Sequence, residues 1–191
     1  MSEWIKKIDL TISNKLIDIF DFYVLHCPVS YSKEVKKEKV KVKVSNQGDY
    51  FKNYSSTEIS ALLRTMKKDI NNDIYIIGDN NFKNKYNELC QKYSDLEFEF
   101  VNYIPNSDMG KTKTIFYSIR NSLAHGMFYI KKVKNINYYY LECAKDKKIK
   151  AQMRLKESTL LKWINRYNNK IIKEDSNNGN KWYKTKFNKY I

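Results

Sequence analysis

Thr112 to Gly126 reads TKTIFYSIRNSLAHG, and Met127 to Val133 continues it as MFYIKKV. In the first part Ile115, Phe116, Ile119 and Leu123 recur at three- and four-residue steps, the period of a helix with one apolar stripe. Gly126 stands where a left-handed residue closes a helix. The second part, with YYYLEC at 138–143 and IKAQM at 149–153, predicts short antiparallel strands joined by turns of Lys, Asn and Asp. The chain is therefore expected to bring the end of one helix against a basic hairpin.

Working outward, Ile5, Ile8, Ile12, Leu16 and Ile19 predict an amphipathic helix running to about Cys27, just before Pro28. Residues 33–39 are a mixed Lys/Glu run, and Val40 to Val44 alternates as a strand with Val inward and Lys outward. Ser55 or Ser56 can cap a helix that carries Leu62, Leu63 and Met66. The segments 74–77, 82–93 and 96–101 read as strand, helix and strand, and a wholly helical reading of the same runs stays open. Ser158 is expected to cap a last helix bearing Leu160, Leu161, Trp163, Ile164 and Tyr167.

The chain has 191 residues, a length for one domain, and 42% hydrophobic residues, enough for a core. Its net charge is +15. Lys supplies 32 of the 36 bases beside much Asn, Ile and Tyr, a mix that an A/T-rich coding sequence would also give. The distribution says more than the total: residues 1–30 carry −1, 31–68 carry +6, 69–109 carry −5, and 110–191 carry +15. The last segment points to a polyanionic partner. No run approaches the ~18 apolar residues of a membrane span, and the first ten residues lack the apolar run of a signal peptide. Cys27, Cys90 and Cys143 are odd in number and share no CxxC spacing, which argues for free thiols in a reducing cytoplasm over a disulfide framework or zinc site. No cofactor and no metal is expected.

The motif helix holds one of four Arg and one of two His, Arg120 and His125, five residues apart. At ~100° per residue, Asn121 and His125 fall one above the other, with Thr114 and Ser118 on the same polar side, away from the Ile115/Ile119/Leu123 stripe. A His can take and give protons, an Arg can hold a phosphate through the transition state, and an Asn can orient either. These groups suit RNA cleavage by attack of the ribose 2′-OH on the adjacent phosphate, with His125 as general acid/base, Arg120 as phosphate stabiliser and Asn121 as orienter. One His per helix, for a reaction with two proton transfers, suggests a two-fold homodimer in which two such faces meet. The plain alternative is a hydrogen-bond cluster closing a helix. Ser118, Tyr129, Lys131 and Lys132 are the expected RNA contacts, because they adjoin His125 and mix bases with an aromatic ring. For Lys39, Lys41 and Lys43 a solvated strand face is the simpler reading, and for Tyr138, Tyr139 and Tyr140 strand packing.

Arg120-Asn121-Ser122-Leu123-Ala124-His125 resembles the R-x4–6-H signature of the HEPN superfamily. The continuation through Ala-His-Gly-Met-Phe, the Lys/Tyr-rich hairpin and the helix from Ser158 resembles its plasmid- and defence-associated branch. The likeness covers residues 112–167. It implies an antiparallel helical bundle; joined to the strands read after the motif helix and the α/β insertion that is one reading of the middle, the expected chain is mainly α (α+β), a helical bundle with a small sheet. It also implies a homodimer and a metal-independent endoribonuclease, a toxin or phage-defence effector with an antitoxin or regulatory partner, at Arg120, Asn121 and His125. Some members carry a modifiable Tyr two residues after the His, where this chain has Met127. On this reading 1–191 is one domain, 28–109 a partly idiosyncratic region or insertion, and 175–191 a basic, loose tail. The alternative is a non-catalytic dimer that binds RNA or protein. A small-nucleotide sensor has less support, since there is no GxGxxG and no P-loop.

Overall fold

The computed structural model describes residues 13–26, 29, 32–35, 40–43, 51, 54–78, 81–92 and 98–178. Helix α1 (Asn14–Phe20) starts at Ser13, whose hydroxyl accepts from the Leu16 amide, and runs into a π-helical turn, Asp21–Leu25. The first half of the helix expected from Ile5 lies outside the described residues. Strands β1 (Ser32–Val35) and β2 (Val40–Lys43) pair as a small antiparallel hairpin. The alternation at 40–43 is thus a strand, but its inward and outward faces are not among the described side chains. The run at 33–39 contributes a strand that its Lys/Glu composition had hidden.

Helix α2 (Ser56–Asp69) is set by its cap: the Ser55 hydroxyl accepts from the Glu58 amide, and the Glu58 carboxylate accepts from the Ser55 amide at 2.8 Å. Strand β3 (Ile74–Ile76), helix α3 (Phe82–Lys92) and strand β4 (Phe100–Tyr103) follow, then α4 (Gly110–Ala124). Strands β5 (Phe128–Val133), β6 (Ile136–Lys145) and β7 (Lys148–Lys156) form a meander. Both of its turns, Lys134-Asn135 and Asp146-Lys147, have positive φ at both central residues, the backbone twist that suits a two-residue hairpin. The last helix, α5 (Glu157–Asn178), begins one residue after β7 ends. Ser158 therefore lies inside its first turn and not before it.

Strands β3 to β7 make one mixed sheet in the order β3-β4-β7-β6-β5, with β3 parallel to β4 and the rest antiparallel. This corrects the expected helical bundle with a small sheet. The mid-chain strands do not form an insertion of their own, because β4 pairs with β7 through Phe100↔Arg154 and Asn102↔Gln152 and so widens the meander to five strands. The protein is α+β, and its sheet is as central to the core as its helices.

One sheet face carries Val101, Tyr103, Tyr139, Leu141, Cys143, Met153 and Leu155, in one core cluster with Ile115, Phe116, Ile119 and Leu123 of α4 and Leu160, Trp163 and Ile164 of α5. Aromatic rings fill the rest: Phe22, Phe51 and Phe116 all meet Tyr167, at centroid distances of 5.5, 5.4 and 6.2 Å. Asp69 ties the end of α2 to α5. It accepts from Trp163 Nε1 at 3.2 Å, from Arg166 Nε and Nη2 at 2.9 and 2.7 Å, and lies 2.7 Å from Lys162 Nζ.

The opposite sheet face is also covered, although its residues are largely polar. Asn102, Glu142, Gln152 and Arg154 are all buried, alternating along their strands with the core residues. Helix α3 packs on β4, and its buried Phe82 and Leu89 lie outside the main core cluster, as does Phe100, which sets α3 against this second face. No helix among the described residues is long and apolar enough to cross a membrane.

Candidate functional site at the end of α4

The end of α4 is a doubly bonded Schellman turn. Gly126 takes φ +66°, its amide donates to the Leu123 carbonyl at 3.2 Å, and the Met127 amide donates to the Ser122 carbonyl at 2.8 Å. The Met127 carbonyl then accepts from the Glu142 amide at 2.9 Å, fastening the turn to β6. His125 is the C-cap residue of this turn; its amide donates to the Asn121 carbonyl at 3.0 Å and its side chain is exposed. Arg120 and Asn121 are half-buried one turn earlier, and Arg120 Nη1 donates to Asn121 Oδ1 at 2.8 Å. The structure thus brings Arg120 and Asn121 into direct contact and leaves His125 on the surface beside them.

The rest of the expected polar side is turned inward. Thr114 is 4% and Ser118 3% exposed. For Thr114, and likewise for buried Ser122, the helix itself satisfies the hydroxyl: Thr114 Oγ1 donates to the Gly110 carbonyl at 2.6 Å, and Ser122 Oγ to the Ser118 carbonyl at 2.8 Å. Asn121 and Ser118 both hydrogen-bond the Cys143 thiol on β6. Burial pushes that thiol up from its ordinary value, with Asn121 and Ser118 offsetting part of the effect. Ser118 is therefore a packing contact between α4 and the sheet.

Strand pleating separates the other expected RNA contacts. Phe128, on the α4 side of β5, is in the core cluster and Ile130 packs against it, which puts Lys132 on that side as well. Tyr129 and Lys131 point to the second face, where the Tyr129 ring stacks on Tyr140 with centroids 4.3 Å apart and planes 9° apart. Both lysines are exposed. So Lys132 shares a side with His125, and Tyr129 and Lys131 share a side with Arg154.

Arg154 is the residue that sequence reading passed over. Its guanidinium carbon lies 3.6 Å from the centroid of Phe98 and 5.7 Å from those of Phe100 and Tyr140, and Nη1 points to the Tyr140 hydroxyl at 3.5 Å. The available signal was an Arg, one of only four against 32 Lys, two residues beyond Gln152 on an alternating strand. A separate open cleft of about 580 Å³ runs along the β3 edge, lined by Lys67, Tyr75, Ile76, Asn81 and Lys85, and contains no motif residue. Among the described residues no three His, Cys, Asp or Glu side chains are grouped as a metal site would need. Comparison with known proteins finds no matching family model, no similar curated protein and no similar solved structure.

Proposed function

We propose that the chain is an RNA-cleaving effector of the kind the HEPN-like motif implies, working in the cytoplasm as a homodimer, with Arg120, Asn121 and His125 as its reacting face. The observation that carries the reading is the Arg120–Asn121 hydrogen bond one turn before an exposed His125, on a helix end held rigid by the Gly126 turn and the Met127–Glu142 bond. The arrangement sets a half-buried guanidinium, tied to Asn121, beside an exposed imidazole. Arg120 would steady the scissile phosphate, and His125 of each copy would move one of the two protons. Lys132 lies on the same side of β5 and would meet the RNA backbone. The products would be a 2′,3′-cyclic phosphate and a 5′-hydroxyl. A neutralising antitoxin or other regulator would complete such a system.

The test is purified protein and RNA in excess chelator, with products identified by end-group analysis. His125→Ala is expected to lower the rate by roughly 10²–10⁴-fold, and Arg120→Ala by roughly 10²–10³-fold. Cleavage that disappears with chelator, or that survives His125→Ala unchanged, would refute the reading.

A second reading, RNA binding without cleavage, is favoured by one specific observation. Asn121 is committed to Arg120 and Cys143, and among the described residues no side chain hydrogen-bonds or ion-pairs with His125. Retained RNA affinity in His125→Ala, with no cleavage by the parent protein, would select this reading.

A further inference from the structure

The second face of the sheet is built in cross-strand rows. Asn102, Gln152 and Glu142 form one row across β4, β7 and β6. Phe100, Arg154, Tyr140 and Tyr129 form the next, across four strands. Lys156, Tyr138 and Lys131 form a third. This face lies across the sheet from α4 and is distinct from the His125 site.

Its centre is unbalanced in a way that packing alone does not explain. Arg154 is 5% exposed, and among the described residues its Nε and Nη2 have no hydrogen-bond partner and no carboxylate lies within ion-pair distance. Asn102 is fully buried, and neither its amide nitrogen nor its oxygen has a partner among the described residues. Leaving a guanidinium buried and unpaired is among the costlier arrangements a fold can hold, and a buried amide with both ends unmet adds to it. The adjacent pair does not share the deficit: Gln152 Nε2 donates to Glu142 Oε2 at 3.0 Å.

The two unmet nitrogens of Arg154 are the pair that matter for recognition. Nε–H and Nη2–H point the same way and form the side-on edge of the guanidinium, the edge that takes two oxygens of a phosphate at once. Nη1 is the nitrogen directed to Tyr140, and the Phe98 and Tyr140 rings flank the guanidinium plane. The aromatic setting orients the fork while leaving its side-on edge uncommitted. Asn102, one row away on the same face, is within diagonal reach and can donate a further hydrogen bond. Exposed Lys131 adds positive charge at the rim, whereas Lys156 is paired with Glu99 at 3.7 Å. Phe98, half-buried and lying against the guanidinium, is the group that must swing aside for a ligand to enter.

We propose that Arg154 and Asn102 form a phosphate-binding site for a nucleotide, with Phe98 as its cover and the Tyr129–Tyr140 stack beside it as the aromatic support. The phosphate belongs either to a free nucleotide or to the backbone of single-stranded RNA; the chemistry at Arg154 is the same. Because the site is across the sheet from α4, it operates whether or not His125 cleaves anything.

The experiment follows the Arg154 Nε–H resonance of the full chain by proton–nitrogen correlation while inorganic phosphate, a nucleoside monophosphate or a single-stranded RNA oligomer is added. A saturable shift of that resonance is expected. Saturation by the monophosphate assigns a free-nucleotide site, and saturation by RNA alone assigns the backbone. Arg154→Lys keeps the charge and removes the side-on edge, so affinity should fall roughly tenfold or more. An Arg154 resonance unmoved by all three probes overturns the proposal, and so does a folded Arg154→Lys chain that binds as tightly as the parent. The resonance titration needs no variant, so the outcome stands even if the substituted chain misfolds.

Discussion

Replacing Asp69 by Asn tests the packing of α2 on α5 without changing side-chain shape. The carboxylate is 4% exposed and receives donors from three residues: Trp163, Arg166 through two nitrogens, and Lys162. The amide of Asn can accept on one side only and turns N–H groups toward other donors on the other. A charge-assisted bond contributes about 1.5–3 kcal/mol, but Arg166 and Lys162 are 34% and 54% exposed and regain water when released, so their share is discounted. The net expected loss is about 2–3 kcal/mol, or roughly 5–10 °C in Tm for a chain of this size. Burial raises the Asp69 carboxyl, and the hydrogen bonds from Arg166 and Lys162 outweigh it and hold the group below its ordinary value. A depressed folded pKa gives stability that is present above about pH 4 and is lost as pH falls through the folded value. The gap between parent and Asp69→Asn should therefore be widest near neutrality and shrink in acid. Urea unfolding followed by far-ultraviolet circular dichroism at pH 7 and at about pH 3 measures both. A loss under ~0.5 kcal/mol at pH 7, or a gap that does not narrow in acid, would refute the argument.

Three further outcomes follow from the geometry. Gly126→Ala places a side chain at φ +66° with open space around it, so the cost is backbone strain of about 1 kcal/mol; a thermal melt shows it, and a neutral result would mean the turn relaxes freely. Tyr103 is fully buried and its hydroxyl has no partner among the described residues, so Tyr103→Phe should equal or exceed the parent in stability by up to about 1 kcal/mol. Burial pushes that phenol up to about 12, so the parent loses Tyr103's share of stability as pH rises from its unfolded value near 10.0 through the folded one, a loss absent from Tyr103→Phe and visible in alkaline unfolding curves. Cys143 is buried with its thiol pushed up, so peptide mapping after brief treatment with a thiol reagent should find it unmodified in the native chain and modified in urea; rapid native labelling would contradict the packing described.

Much of the local structure was readable because it rests on local chemistry. The cap at Ser55–Glu58, the helix stop at Gly126 and the three strands after it each have a signal within a few residues. What was not readable was partnership. The pairing of β4 with β7 joins Phe100 to Arg154, and no periodicity along either segment encodes that register. The helical-bundle expectation came with the HEPN resemblance, and the mid-chain strands looked like a local insertion because their partner β7 lies far along the chain. Thr114 and Ser118 looked solvated because hydroxyls count as polar; Thr114 is buried with its hydroxyl satisfied by the Gly110 carbonyl of its own helix, and Ser118 with its side chain against Cys143 of β6. At the candidate site, Arg120 next to Asn121 was visible as spacing, whereas Tyr129 and Lys131 lay one pleat away from where proximity in sequence put them.

The strand order has a consequence for synthesis. Among the described residues, strand β7, residues 148–156, is the only element hydrogen-bonded to both the β3–β4 pair and the β5–β6 hairpin. Of the described strands it is the last to emerge from the ribosome. Until it does, the parallel pair leaves the edge of β4 unmet, and the residues around Ile74 and Val101 have no sheet to complete. A nascent chain halted before Lys148 thus carries an open strand edge and an uncovered apolar face, the features that recruit chaperones or promote aggregation. Nine residues join the sheet on both sides, so the described sheet is complete only once β7 is in place.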